Sequence, residues 1–371
     1  MRYQRLLSAL LVIVAATTAF ATTPPRKPVI QVAVLLDTSN SMDGLIDQAR
    51  TQLWRVVNEL ATAKKDGLAP DLRVALYEYG NDSLPSEKGH IRRVLALTSD
   101  LDKVSEELWA LKTNGGQEYC GHVIDEATKG LEWSPSNGDL KLIFIAGNEE
   151  FTQGNVDYRE SCRRAIAKGI IINTIFCGEK TSNIAANWKA GADLADGSFL
   201  TIDQNAKVAD IPAPQDKEIA TLGEQLNKTY IAYGKRGLEG AERQKAQDQT
   251  VAAAAPSANV ARQVAKAGHN YSNAYWDLVD AKKEGVDLAK IDAKDLPPEM
   301  QKMTPAERKA HVEKMEKTRA ELQAKIQKLD AERRKYIDAE IKKLPPAKST
   351  LDAAVVTAVR SSGTKKGYRF Q

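Results

Sequence analysis

Asp37, Ser39 and Ser41 stand at every second position of Asp37-Thr38-Ser39-Asn40-Ser41. In extended chain that spacing turns alternate side chains the same way, gathering one carboxylate and two hydroxyl oxygens at one point. A hard cation such as Mg2+ takes oxygen donors in an octahedron and keeps several waters, so two hydroxyls beside a single charge suit it. The three residues alone carry little, because a Ser at 39 or 41 could equally cap a helix. Two further loops add donors: Thr113 opens Thr113-Asn114-Gly115-Gly116, and Gly147-Asn148-Glu149 carries an amide and a carboxylate.

The elements that must hold these loops read as a parallel α/β sheet. Apolar, β-branched runs at 29–36, 73–79, 140–146 and 170–176, with a short one at 198–201, predict strands. They alternate with amphipathic stretches, and their near-continuous apolar character predicts helices over both faces. Leu45, Ile46, Ala49, Leu53, Val56, Val57 and Leu60 recur at helical spacing and predict one such cover. Val123, Ile124 and Ala127 mark a second, directly after the Gly-Gly loop. All three donor loops then follow strands or precede helices at the carboxyl edge of the sheet, where open α/β sheets bind ligands.

In this order and strand context, residues 28–205 resemble the von Willebrand factor type A domain, a doubly wound, mostly parallel, Rossmann-like α/β fold. Its metal-ion-dependent adhesion site combines D-x-S-x-S, a Thr on a Gly-rich loop and an acidic residue after a later strand. The resemblance implies that Ser39, Ser41 and Thr113 offer hydroxyls directly to Mg2+ (or Mn2+ or Ca2+), and that Asp37 acts through bound water. Asn148 stands where the family usually has Asp, which removes a negative charge and should weaken the cation's hold; Glu149 or Glu150 would restore it if the loop turns inward. A cation left with an open position would accept a Glu or Asp carboxylate from a partner protein as its last ligand.

After residue 205 the composition turns to Glu, Lys, Ala and Gln, and residues 206–371 are expected to be α-helical. Tyr271, Tyr275, Leu278 and Val279 mark one helix. Met315, Leu322, Leu329 and Tyr336 recur every seven residues, with Val312 and Ile326 at the second seam position, which is partly coiled-coil-like. Arg319 and Arg333 fall in the same seam and argue against a long two-stranded coiled coil, leaving a helix packed on the main domain as the other expectation. Pro297-Pro298 and Pro345-Pro346 punctuate the region.

Arg2 and Arg5 before an apolar run at 6–14, then Ala19-Phe20-Ala21, match an export signal over residues 1–21. A short linker at 22–27 follows, and a periplasmic or secreted protein with no later membrane span is expected. The formal charge of +4 falls to +2 once Arg2 and Arg5 leave, and basic residues interleave with acidic ones, so nucleic acid is not the expected partner. Three cysteines, Cys120, Cys162 and Cys177, permit one disulfide; Cys120 with Cys177 is the favoured pairing. His90, His122, His269 and His311 show no metal-ligand spacing, and no Ser-His-Asp set, P-loop or dinucleotide fingerprint is present, so no enzyme is expected. The sequence points to a cation-dependent protein-binding module for adhesion or assembly. The alternative is an envelope scaffold that acts through its helical half, with a vestigial cation site.

Overall fold

The computed structural model describes residues 26–206, 211–343 and 350–370. The export signal at 1–21, the linker up to residue 25 and Pro345-Pro346 lie outside the described residues. In chain order the first half contains β1 (Val29–Asp37), α1 (Asp43–Ala61), β2 (Asp71–Tyr79), β3 (Ile91–Thr98), α2 (Leu101–Ala110), α3 (Cys120–Gly130), β4 (Leu140–Gly147), α4 (Tyr158–Ala167), β5 (Ile170–Cys177), α5 (Ala185–Leu194) and β6 (Phe199–Ile202). The second half contains α6 (Asp216–Asn227), α7 (Gly237–Ala254), α8 (Pro256–Lys266), α9 (Leu278–Lys283), α10 (Pro298–Gln301), α11 (Pro305–Ile341) and α12 (Leu351–Lys365).

The six strands form one mixed sheet in the order β3-β2-β1-β4-β5-β6, parallel except for the antiparallel β2–β3 pair. β1 lies inside the sheet, and its apolar run divides by alternation. Ile30, Val32 and Leu36 join the core beneath α1 and α2, while Ala33 and Leu35 join the core beneath α3, α4 and α5. β3 is the one strand the apolar runs did not predict. It sits at the sheet edge with Arg92 and Arg93 exposed, so it lacks the two-sided burial that makes the other strands legible.

The helical half is not a separate extension in space. After β6 the chain builds α6 to α11 and then returns as α12, which packs on α1 and against β4, β5 and β6. Leu351, Ala354, Ala358 and Val359 of α12 enter the same core as Ile30 and Leu142. The sheet's cover on that face therefore comes from both ends of the chain, and a boundary at 205/206 separates α12 only along the sequence. α8 lies against α1, and α7 against α2.

α11 runs for 37 residues from a capping box at Thr304 and Glu307. Val312, Leu322 and Ile326 are buried, Met315 and Leu329 pack at the margin, and Tyr336 is exposed. It packs on α6, α8 and α9, so the seven-residue pattern marks a helix laid on the body instead of a two-stranded coil. Arg319 fits its seam position because it is buried among acceptors. It donates to Asp277 and Asp280, at 2.6 and 2.9 Å, and to Thr229, and lies 4.0 Å over the Tyr230 ring.

The expected disulfide is absent: Cys120, Cys162 and Cys177 are free, buried thiols. Cys120 and Cys162 pack in the core under α3 to α5, whereas Cys177 packs in the core on the opposite face of the sheet. Alternation along β5 sends the Cys177 side chain away from α3, so the Cys120–Cys177 pairing is not made. Among the described residues no helix is long and apolar enough to cross a membrane.

Candidate functional site

β1 ends at Asp37, and the D-x-S-x-S loop crosses the carboxyl edge of the sheet before α1 begins. Asp37 is 0% exposed. Its Oδ1 accepts the Ser39 amide at 2.8 Å, while Oδ2 is buried and has no hydrogen-bond partner. Ser39 Oγ lies 3.3 Å from Ser41 Oγ, and Ser41 is open to solvent. Thr38 turns away, its amide and hydroxyl both donating to Tyr79 O on β2, at 2.9 and 3.2 Å. The oxygens gather as this spacing predicts, but by a 3-10 turn at Asn40–Met42 and not by extended-chain alternation, because β1 ends at Asp37.

Asn148, directly after β4, donates from Nδ2 to Ser41 Oγ at 3.0 Å. Its Oδ1 is a second buried oxygen with no partner. Asp37, Ser39, Ser41 and Asn148 are thus brought together, with two orphaned acceptor oxygens among them. A buried acceptor without a donor costs about 1–3 kcal/mol, so such atoms ask for a partner.

Thr113 and Glu149 stand differently. The Thr113 hydroxyl donates to the Asp43 carboxylate in the first turn of α1, and the neighbouring Asn114 amide donates to Thr38 O at 3.0 Å, which fastens the Gly-Gly loop to β1. Thr113 joins the rim through Asp43. Glu149 is exposed and acts through its charge on Asp37 and Glu118.

Glu118, in the same loop as Thr113, is an acidic neighbour of Asp37 that the sequence reading passed over. It is 5% exposed. A β-carbon at Gly80 would stand 2.9 Å from Glu118 Cγ and 3.0 Å from Asp37 Oδ1, so both side chains crowd the same spot, and Gly80 has a left-handed φ of +76°. Gln153 holds Glu118 twice, its Oε1 accepting the Glu118 amide at 3.2 Å and its Nε2 donating to Oε2 at 3.3 Å. The signal was available: an acidic residue two positions after Gly116, just before α3, in a loop already singled out.

The crowding has an electrostatic consequence. Burial, with Glu118 and Glu149 adding to it against the Ser39 amide hydrogen bond, pushes the Asp37 carboxyl up to about 7. Burial and Glu149 likewise raise Glu118. Among the described residues none of these three carboxylates forms an ion pair with Lys, Arg or His. No three His, Cys, Asp or Glu side chains converge as a metal cluster among the described residues either, so any cation held here must rely on hydroxyl and amide oxygens as well. The donor set present is all oxygen: Asp37, Ser39, Ser41, Asn148 and Glu118. That chemistry fits a hard divalent cation, which would also supply the missing partner of the orphaned oxygens.

Below the site, Cys120 Sγ lies 3.9 Å from Tyr79 Oη, which donates to Ala146 O at 3.0 Å. Burial pushes the Cys120 thiol up well above its ordinary range, which favours its neutral, packed form.

Residues 31–192 match the family model of the von Willebrand factor type A domain. No curated protein matches the chain. Among solved structures, a proximal thread matrix protein of the mussel byssus is 12% identical over 47% of this chain and 41% of its own, with a TM-score of 0.35. An aerotolerance-related membrane protein from Bacteroides fragilis is 19% identical over 47% and 93%, with a TM-score of 0.33. A pilus adhesin from Lactobacillus rhamnosus GG is 13% identical over 47% and 28%, with a TM-score of 0.34. This chain spans about two fifths of the mussel protein's length.

Proposed function

From the premise of a von Willebrand factor type A domain at residues 31–192 followed by a helical region, we propose that the protein is an exported binding module that grips a partner protein through a divalent cation held at the edge of its sheet. One observation carries this reading: Asp37 Oδ2 and Asn148 Oδ1 are buried acceptors without a donor, beside the Ser39–Ser41 hydroxyl pair. A cation there, Mg2+ or Mn2+ in the first instance, would supply Lewis acidity to a carboxylate on the partner.

The chain's own residues then divide the work. Ser39, Ser41 and Asn148 offer neutral oxygens, and Asp37 supplies charge from beneath. Thr113 and Asp43 brace the rim by joining the Gly-Gly loop to α1. Ser41, at the solvent side, leaves the site open to an approaching acidic side chain. The family match and the absence of any nucleophile–base pair in the sequence both favour binding over catalysis. Export rests on Arg2, Arg5 and the apolar run at 6–14.

The test is calorimetric titration of Mg2+ and of Mn2+ into the protein, beside Ser39→Ala/Ser41→Ala. Saturable uptake that the double variant loses supports the reading. No uptake by the unaltered protein rejects it, in favour of a scaffold that works through its helical half.

A further inference from the structure

We infer that Glu118 is an anionic ligand of the proposed cation and takes over the charge that Asn148 fails to supply. The inference rests on the cation reading above and specifies which loop completes the site.

Position comes first. Glu118 Cγ and Asp37 Oδ1 both press on the space above Gly80, so the two acidic side chains approach each other at the carboxyl edge of the sheet from different loops, close enough for their charges to act on each other. Gly116 lets this happen, because a β-carbon there would stand 2.3 Å from Gly80 O; the Glu118 loop lies flat on the turn that follows β2.

Charge balance comes second. Asp37 is 0% and Glu118 5% exposed, Glu149 stands nearby, and no cationic side chain pairs with any of them among the described residues. Burying like charges without a counter-charge is costly; such groups take up a proton, pair with a cation or bind a metal, and the proposed cation is the last of these. Asp37 Oδ2, on the Gly147 side of the same carboxylate, is sealed and has no donor, so Asp37 lacks a positive partner on its β4 side as well.

Orientation comes third. Gln153 clamps Glu118 at its amide and at Oε2 and thereby positions the carboxylate. Thr113, from the same loop, has its hydroxyl committed to Asp43. The Gly-Gly loop thus offers the cation a carboxylate where the family offers a hydroxyl, and the carboxylate lost at Asn148 reappears one loop away. Two resident carboxylates would hold the cation before any partner arrives.

The experiment titrates MgCl2 and MnCl2 into the full chain and into Glu118→Gln, Thr113→Val, Asn148→Asp and Glu118→Gln/Asn148→Asp, with the cation-induced rise in Tm as a second readout. Glu118→Gln keeps the shape of the side chain, and an unchanged Tm without cation verifies its fold. The expected result is at least about tenfold weaker binding in Glu118→Gln, a smaller loss in Thr113→Val, and recovery in Glu118→Gln/Asn148→Asp. Undiminished affinity in Glu118→Gln, together with loss in Ser39→Ala/Ser41→Ala, overturns the role of Glu118 and leaves the cation site standing. No uptake by the unaltered chain overturns both.

Discussion

Arg262 in α8 donates from Nη1 to Asp102 Oδ1 in α2 at 2.6 Å, with the two side chains 0% and 3% exposed. The same guanidinium reaches Asp248 Oδ1 at 2.6 Å and Gln244 O at 3.1 Å, and lies 4.6 Å over the Trp54 ring of α1. Tyr271 Oη donates to the other Asp102 oxygen at 2.5 Å. Through this buried network the helices that follow β6 are tied to α1 and α2 on one face of the sheet.

Removing Arg262 therefore leaves Asp102 buried with the Tyr271 hydroxyl as its remaining partner, while Asp248 keeps Lys266. Arg262→Met is expected to cost about 3–5 kcal/mol, the usual penalty for breaking a buried pair from one side. Urea unfolding checks this through a lower midpoint at unchanged slope; a midpoint within experimental error of the unaltered protein would mean that the pair does not bind the two halves together.

Lys266 gives the same network a pH signature. Burial, aided by Arg262 and opposed by Asp248, lowers its ammonium from 10.5 to about 8. Below pH 8 the folded and unfolded chains both carry the charge, so the cost of burying it is fully present. Between about 8 and 10.5 the unfolded chain binds the proton and the folded chain does not, so stability from this group rises with pH. The span corresponds to roughly 3 kcal/mol. Unfolding free energies at pH 7.5 and 10 for the unaltered protein, each taken relative to Lys266→Met, should differ in that direction; a flat difference would place the charge in water.

Gln48 in α1 joins the point where the chain leaves the sheet to the point where it returns. Its Nε2 donates to Asp203 O and Gln204 O at 2.9 and 2.8 Å, and its Oε1 accepts the Leu351 amide at 2.8 Å. Gln48→Leu should destabilise the fold by about 1–3 kcal/mol, because buried backbone groups lose their partners. Hydrogen exchange locates the effect: the Leu351 amide should exchange faster, while amides in β4 stay protected.

Gly116→Ala tests the floor of the site. The added β-carbon would meet Gly80 O at 2.3 Å and Gly80 C at 2.7 Å, both backbone atoms that cannot swing aside. The loop must lift, costing about 1–3 kcal/mol as overpacking, and Glu118 moves with it. Thermal unfolding together with an Mg2+ titration should show a lower Tm and weaker uptake; an unaltered Tm would show that the two turns do not touch.

The place of the candidate loop at the end of β1 was legible before the fold was known. Asp37 closes a run whose alternating residues reach two cores, and Ser39 and Ser41 follow it into a single 3-10 turn at Asn40–Met42, so a few consecutive residues set all three. Glu118 was harder to see, because its role depends on the Gly-Gly loop lying flat on the turn after β2, a contact between two loops that no periodicity records. Arg319 looked out of place in an apolar seam until Asp277, Asp280 and Thr229 were found around it.

The amino-acid sequence by itself determined the alternation of strands and helices, the carboxyl-edge position of the D-x-S-x-S loop and the helical character of the second half. These follow from local burial patterns and turn chemistry, which act over a few residues. Tertiary structure alone decided that β3 closes the sheet edge, that α12 returns to cover the sheet, that the thiols stay apart and that Glu118 meets Asp37. Each depends on surfaces brought together across long stretches of chain, as Leu351 and Gln48 are across 303 residues and Arg262 and Asp102 across 160. Such pairings are chosen by which packed arrangement buries apolar surface while giving buried charges partners, a property of the whole molecule and not of any segment.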